Sequence, residues 1–290
     1  FDFQRTSVSP KGYFFPETEV LLEVEKRGHD VTLTEPDLAG ERVLFAIRPC
    51  DARALRVLDA LLLDRPPADS YYARRREGTT LIGLACAQMW DGCFCTSLGG
   101  GPADASAVDL LLHADEAGYL VQVVTDRGAA LLEGVDWPEA DRPAPVAEIT
   151  AEEVPVQSAA EWRTRFDEAF WQRLADRCLS CHACTYVCPT CRCFDVRDDV
   201  TASGPGHVHV QRLRAWDSCM SPAYRRIAGG HNPRPDTAQR LRNRFYCKFC
   251  YSPLDFGAVA CVGCGRCIEA CPAGVDIVEV LRGLEVRSEK

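Results

Sequence analysis

Six cysteines fall within the short stretch CLSCHACTYVCPTCRCFDV, at positions 178, 181, 184, 188, 191 and 193. The first four, followed by Pro189, have the form C-x2-C-x2-C-x3-C-P. The same form recurs, position for position, at Cys261, Cys264, Cys267, Cys271 and Pro272. Thiolates are soft metal ligands, and this spacing is that of bacterial-type [4Fe–4S] centres. Three cysteines at three-residue intervals can wrap one face of a cubane. Small residues between them, Ala183, Gly263 and Gly265, let backbone N–H groups approach its sulfurs; His182 is bulkier. The proline redirects the chain after the fourth cysteine. In two-cluster ferredoxins that fourth cysteine ligates the other cluster. The expected sets are therefore Cys178, Cys181, Cys184 and Cys271 for one cluster, and Cys188, Cys261, Cys264 and Cys267 for the other. Such crossing ties distant segments together and couples metal loading to folding. Zinc is the competing reading, but zinc sites use two pairs and not a repeated run of four with proline.

Nine of the 17 cysteines remain. Cys50, Cys86, Cys93 and Cys95 occur in IRPCDARAL, GLACAQ and DGCFCTS. Cys50 and Cys86 directly follow two apolar runs that read as strands, and strand ends on one sheet edge are neighbours. Four thiols there suffice for a third [4Fe–4S] cluster. Packed free or redox thiols and a zinc site stay open as alternatives. Cys191 and Cys193 follow the first motif closely enough to line its cluster and donate weak S–H contacts. Cys247-x2-Cys250 resembles half a metal site, for which Cys219 with Cys191 or Cys193 would be the other half. Packing or cluster-lining roles are the preferred expectation for all five.

The elements that must position these thiols come in two groups. Val43–Ile47, Thr80–Ala85, Asp109–His113 and Tyr119–Val124 read as strands, and Ala52–Leu63 as a helix with apolar residues at helical spacing. Residues 1–135 are expected to form an α/β-type domain, and 136–160, rich in Pro, Ala and Glu, a linker. Residues 161–290 are expected to form an α-helical ferredoxin-like domain. It starts with a helix over Glu161–Arg177 and ends with one over Val275–Val286. The insertion between the motifs reads as helical, similar to the α-helical ferredoxins of respiratory iron–sulfur subunits. The fold class is α+β.

Charge and composition exclude several functions. A net charge of −9 argues against nucleic acid. The basic residues around the insertion, from Arg212 to Arg244 and Lys248, suit internal ion pairs, screening of anionic clusters or docking of a partner. No apolar run approaches the about 20 residues that span a bilayer. No signal peptide is visible, although the chain opens at Phe1 and N-terminal residues are expected to be missing. Clustered cysteines at short gaps fit a reducing, cytoplasmic compartment better than disulfides. SLGGGP (97–102) lacks the phosphate-loop signatures, His231 reads as a loop-fixing residue, and no Ser/His/Asp arrangement stands out.

Several phrases together resemble one family: IRPCDARALRVLD, the CFC-to-GGGP segment, CPTCRCFDV, RAWDSCM, AGGHNPRP, RNRFY and CVGCGRCIEACPAGVDIVEVL. They are similar to the β subunit of cytoplasmic NAD(P)-linked [NiFe] hydrogenases, or sulfhydrogenases. The electron-transfer subunit of anaerobic sulfite reductase is similar too. The resemblance implies an electron-transfer subunit of a multisubunit oxidoreductase, with no catalytic site in this chain. As partners it implies the [NiFe] hydrogenase large and small subunits together with an FAD/NAD(P)-binding reductase subunit, or else a sulfite reductase catalytic subunit. YCKFCY, with Cys247 and Cys250, departs from the family pattern. A metal-dependent interaction or regulatory module is the alternative of another class.

Overall fold

The computed structural model describes residues 5–38, 40–116, 118–145, 152–167 and 169–285. It is a mixed helix and strand structure built on two four-stranded sheets. One contains β3 (Arg42–Ile47), β4 (Thr79–Leu84), β5 (Leu110–Asp115) and β6 (Gly118–Val123), in that order. β3, β4 and β5 are parallel, and β6 closes antiparallel on β5 as a hairpin and is followed by α3 (Asp126–Leu131). The crossover from β3 to β4 is made by α1 (Pro49–Leu62) and α2 (Ser70–Glu77). α1 starts with Pro49 in its first turn, where a missing N–H costs nothing. Its Ala52, Leu55 and Leu58 pack with Leu81, Leu111 and Tyr72 in one buried cluster. Ala46, Ile82, Leu84, Leu110 and Leu112 form a second cluster. These strands and this helix match the sequence reading closely.

The second sheet departs from expectation. It has the order β2-β1-β8-β7 and is antiparallel throughout. β1 (Thr18–Arg27) and β2 (Asp30–Thr34) come from the start of the chain. β7 (Phe194–Gly204) and β8 (His207–Trp216) come from the insertion between the two cysteine motifs. The helical reading of that insertion is therefore corrected over 194–216. The physical reason is alternation: HVHVQRL has a two-residue period, and Pro205-Gly206 turns the hairpin with Gly206 at φ +73°. Strands from both expected units thus share hydrogen bonds. Buried Arg214 on β8 reinforces the join. It donates to Glu19 on β1 at 2.6 Å, and Glu19 also pairs with Arg75 of α2 at 2.7 Å.

The rest of the chain packs around a large aromatic core holding Trp162, Trp171, Phe245, Tyr246 and Phe249. The single helix expected over Glu161–Arg177 is two short ones, α4 (Ala159–Thr164) and α5 (Phe170–Ala175). Two side chains capture carbonyls that a continuous helix would use. Trp171 Nε1 donates to the Arg165 carbonyl at 2.9 Å, and Arg242 to that of Phe166 at 2.8 Å. A capping box at Ser158 and Glu161 starts α4. The centre of the expected linker, 146–151, lies outside the described residues. Its C-terminal part is docked: Val154 is buried and its N–H donates to Ser97 Oγ at 2.9 Å. α7 (Thr237–Tyr246) continues through a single π-helical turn (Cys247–Tyr251) into α8 (Ser252–Phe256). α10 (Ile277–Glu285) is the expected terminal helix; Val286 lies outside the described residues. Among the described residues no helix is long and apolar enough to cross a membrane.

One ion pair joins the parallel sheet to the second cysteine motif. Arg266 grips Asp51, in the first turn of α1, through both guanidinium nitrogens at 2.5 and 2.7 Å. Both side chains are almost wholly buried, and Arg266 Nε also donates to the Thr6 carbonyl at 2.8 Å. Removing one partner of such a pair leaves a buried charge unpaired. Asp51→Ala should lower the unfolding free energy by about 3–5 kcal/mol, read from urea titration. A loss below about 1 kcal/mol, the range of exposed pairs, would show that the lock is not structural.

Candidate metal centre

The two cysteine motifs fold alike. In the first, Ser180 and His182 have φ of +51° and +66°; in the second, Gly263 and Gly265 have +66° and +73°. A short helix follows each, α6 (Ala183–Tyr186) and α9 (Arg266–Glu269). The turn bonds correspond: Thr185 N–H to the His182 carbonyl and Ile268 N–H to that of Gly265, both at 2.9 Å. α6 packs against α9, so the two motifs face each other.

Three cavities result. The first is lined by Cys178, Cys181, Cys184 and Cys271, with Met220, Leu241 and Arg244. The second is lined by Cys188, Cys261, Cys264 and Cys267, with Thr190 and Lys248. The fourth cysteine of each motif therefore lies in the cavity of the other motif's first three. The third is lined by Cys50, Cys86, Cys93 and Cys95, beneath Arg48 and Trp90, and Cys264 also borders it. Cys50 lies in the first turn of α1 and Cys86 just beyond β4, at the carboxyl edge of the parallel strands, where α/β sheets place their ligands. The first two cavities present four thiols each, and the third presents its own four with Cys264 as a fifth. Four sulfurs around one zinc lie within about 3.8 Å of each other. Among the described residues no three Cys, His, Asp or Glu side chains converge closely enough for a single ion. Four or more thiols around one cavity form the donor set of an iron–sulfur centre, whose irons are held by cysteine thiolates.

Comparison with known proteins agrees with that chemistry. A family model described as a 4Fe-4S dicluster domain matches residues 177–275, which hold both motifs. The chain is 34% identical, over an alignment of 301 residues, to sulfhydrogenase 2 subunit beta of Pyrococcus furiosus. The alignment covers 97% of this chain and 84% of that protein. The chain belongs to the sulfhydrogenase β-subunit family. No solved structure matches it.

In this β-subunit family member, charge surrounds the second cavity in a way the sequence does not reveal. Lys248 is buried, and its ammonium donates to Cys188 Sγ at 3.2 Å, to Thr190 Oγ1 at 3.1 Å and to the Ala260 carbonyl at 3.0 Å. Burial alone would push Lys248 down, but the thiols of Cys188, Cys191 and Cys261 hold it well above its ordinary value. Cys188 is pushed well below the usual thiol range by a hydrogen bond from Cys191, with Lys248 and Thr190 adding to it against the cost of burial. Arg244, one helical turn earlier, lines the first cavity. Burial opposes its charge, while Cys184, Cys267, Cys191 and Cys188 favour it. Burial raises Cys261 and Cys86, each to about 11. In the sequence Lys248 belongs to the basic group suited to screening anionic clusters, and nothing beyond its place among aromatics in YCKFCY, four residues after Arg244, singles it out.

The remaining cysteines separate. Cys191 is within hydrogen-bond reach of Cys188. Cys193 pairs instead with Cys219. Cys250 is buried in the aromatic core, its thiol 3.6 Å from the Ala159 carbonyl. Cys247 is half-buried in the π-helical turn. No metal site of Cys247 and Cys250 with Cys219 is formed among the described residues.

Gly263 and Gly265 have a role beyond admitting N–H groups to a cluster. A Cβ on Gly263 would stand 2.5 Å from the Cys95 nitrogen, and one on Gly265 2.7 Å from the Gly92 carbonyl oxygen. The second motif thus lies directly on the backbone of the loop that carries Cys93 and Cys95, and Phe94 N–H donates to the Gly263 carbonyl at 2.8 Å. Gly263→Ala should cost more than about 3 kcal/mol, since strain at positive φ adds to the clash. Gly274→Ala, also at positive φ but in open space, should cost about 1–2 kcal/mol. Equal losses for the two variants in thermal unfolding would refute the close approach.

Proposed function

We propose that this chain is the electron-transfer subunit of a multisubunit hydrogenase, carrying three [4Fe–4S] clusters in one row. The observation that carries this reading is the gathering of at least four cysteines around each of three cavities. The proposed ligands are Cys178, Cys181, Cys184 and Cys271 for the first; Cys188, Cys261, Cys264 and Cys267 for the second; and Cys50, Cys86, Cys93 and Cys95 for the third. When bound, such clusters supply one-electron storage at potentials set by charge, hydrogen bonds and burial.

The chain's own residues supply the rest. The second and third cavities adjoin through a shared side chain, Cys264. Arg244 lines the first cavity and acts electrostatically on Cys188 and Cys267 of the second. The buried Lys248 and Arg244 offset negative charge between the first and second sites, favouring their reduced states. Exposed Cys181 and Leu179 mark one end of the row, and Met89 and Trp90 the other. The family resemblance supports, as partners at these ends, the [NiFe] hydrogenase subunits together with a flavin- and NAD(P)-binding reductase subunit. Electrons would leave flavin singly, travel along the row and reach the distant catalytic centre, or run in reverse.

Anaerobically purified protein should contain about twelve irons with matching acid-labile sulfide. About eight would remove the third cluster, and zinc without iron would refute the relay. Cys86→Ser should remove only the signal of the third site. Cys188→Ser should disturb the cluster held by Cys261, Cys264 and Cys267; disturbance confined to the cluster of Cys178 would overturn the crossed assignment. Lys248→Met removes one buried positive charge, so the midpoint potential of the second site should fall by on the order of 100 mV in a redox titration followed by electron paramagnetic resonance. An unchanged potential would mean that Lys248 only packs.

A further inference from the structure

The wall of the third cavity includes Arg5, from the start of the chain, beside the loops that carry its cysteines. The second cysteine motif holds Arg5 there. Arg266 Nε donates to the Thr6 carbonyl at 2.8 Å, and Arg5 Nη2 donates to Glu269 at 2.6 Å. Glu269 answers the Arg5 charge only in part. Its side chain is 60% exposed to water, while that of Arg5 is 6% exposed. The other terminal nitrogen, Arg5 Nη1, is buried and meets no acceptor among the described residues. Trp90 lines the same cavity, and its indole Nε1 is likewise buried without an acceptor.

Two orphaned donors on one cavity wall are informative. Guanidinium and indole nitrogens donate and do not accept, so neither can satisfy the other. A donor buried without an acceptor is costly, and native interiors rarely tolerate one. Both therefore call for an acceptor that the protein atoms do not supply. The cavity states its chemistry. Its wall carries thiols and the buried Arg48, whose guanidinium lies 5.1 Å from the Trp90 ring centroid. Among the described residues no carboxylate lines it. A cationic, sulfur-rich wall suits an anion that presents sulfur acceptors.

We propose that Arg5 Nη1 and Trp90 Nε1 donate hydrogen bonds to sulfurs of the third [4Fe–4S] cluster and raise its potential. This inference rests on the reading that the third cavity holds a cluster. Reduction adds one negative charge, and donors aimed at the cluster stabilise that charge; a charged donor does so more strongly than a neutral one. Arg266 and Glu269 lie on either side of Cys267, so the second motif positions a donor for the third site. The end of the row at Met89 and Trp90 thereby accepts electrons more readily.

The test is an anaerobic redox titration of the full-length, iron-loaded protein, followed by electron paramagnetic resonance. It reads the signal that Cys86→Ser removes. In Arg5→Met the ratio of reduced to oxidised third cluster at a fixed poise should fall about tenfold, a midpoint lower by about 59 mV. In Trp90→Phe, which keeps an aromatic ring and loses only the N–H donor, the ratio should fall about threefold. The other two midpoints and the iron content should stay as in the wild type. If Arg5→Met fails to hold the third cluster, Trp90→Phe still gives the reading. An unchanged third midpoint in either variant would overturn that residue's bond. An equal fall at all three sites would mark general loosening and overturn both. If the wild type has no signal that Cys86→Ser removes, the third cluster itself is refuted, and the proposal with it. A signal present but insensitive to both substitutions refutes the proposal alone.

Discussion

The arrangement of the cysteine-lined cavities depends on the bidentate pair between Arg266 and Asp51. Each residue is next to, or two removed from, a cysteine: Asp51 follows Cys50, and Arg266 lies between Cys264 and Cys267. Binding one to the other fixes the distance between two sites that are more than two hundred residues apart in the chain. Burying two charges is expensive, and only excellent geometry offsets it. Here both guanidinium nitrogens meet both carboxylate oxygens, and a third bond reaches the Thr6 carbonyl. The glycines of the second motif then rest on the loop of Cys93 and Cys95 with no room for a side chain. The pair and the glycines together make the second and third cavities one piece of architecture.

Charge is distributed unevenly around that architecture. The chain as a whole is acidic, at −9. Its interior near the cysteines is cationic, with Lys11, Lys248, Arg244 and Arg266 all buried. Lys11 shows the balance involved. Burial lowers it, while Cys191 and Cys188 act in the other direction; its ammonium donates to the Cys191 carbonyl at 3.0 Å and lies 3.9 Å above the Trp216 ring centroid. Surface charge gives solubility, and interior charge answers the thiolates.

Much of the site is legible in the sequence because ligand spacing is a local property. Cys178–Cys188 and Cys261–Cys271 carry it within eleven residues each. The third group is legible only through the strands before Cys50 and Cys86, whose apolar runs are clear. What stays hidden is long-range. No local pattern says that β8 pairs with β1, and the insertion reads as helical because its alternation is short and interrupted by charge. Glu161–Arg177 has a good helical period, yet tertiary bonds from Trp171 and Arg242 divide it. Screening of anionic clusters is among the uses the sequence suggests for Lys248 and Arg244, but it does not single them out, because their partners, Cys188 and Cys184, lie some sixty residues earlier.

The sheet that unites the start of the chain with the insertion between the cysteine motifs also has a consequence in time. β1 cannot pair with β8 until about 190 residues more have been made. At synthesis rates of about 5–20 residues per second, that interval is about 10–40 s. For its duration β1 offers an open hydrogen-bonding edge, and exposed Val31 and Leu33 lie on the adjoining β2. The newborn chain therefore passes through a period in which its first hairpin is available to any other unpaired strand nearby.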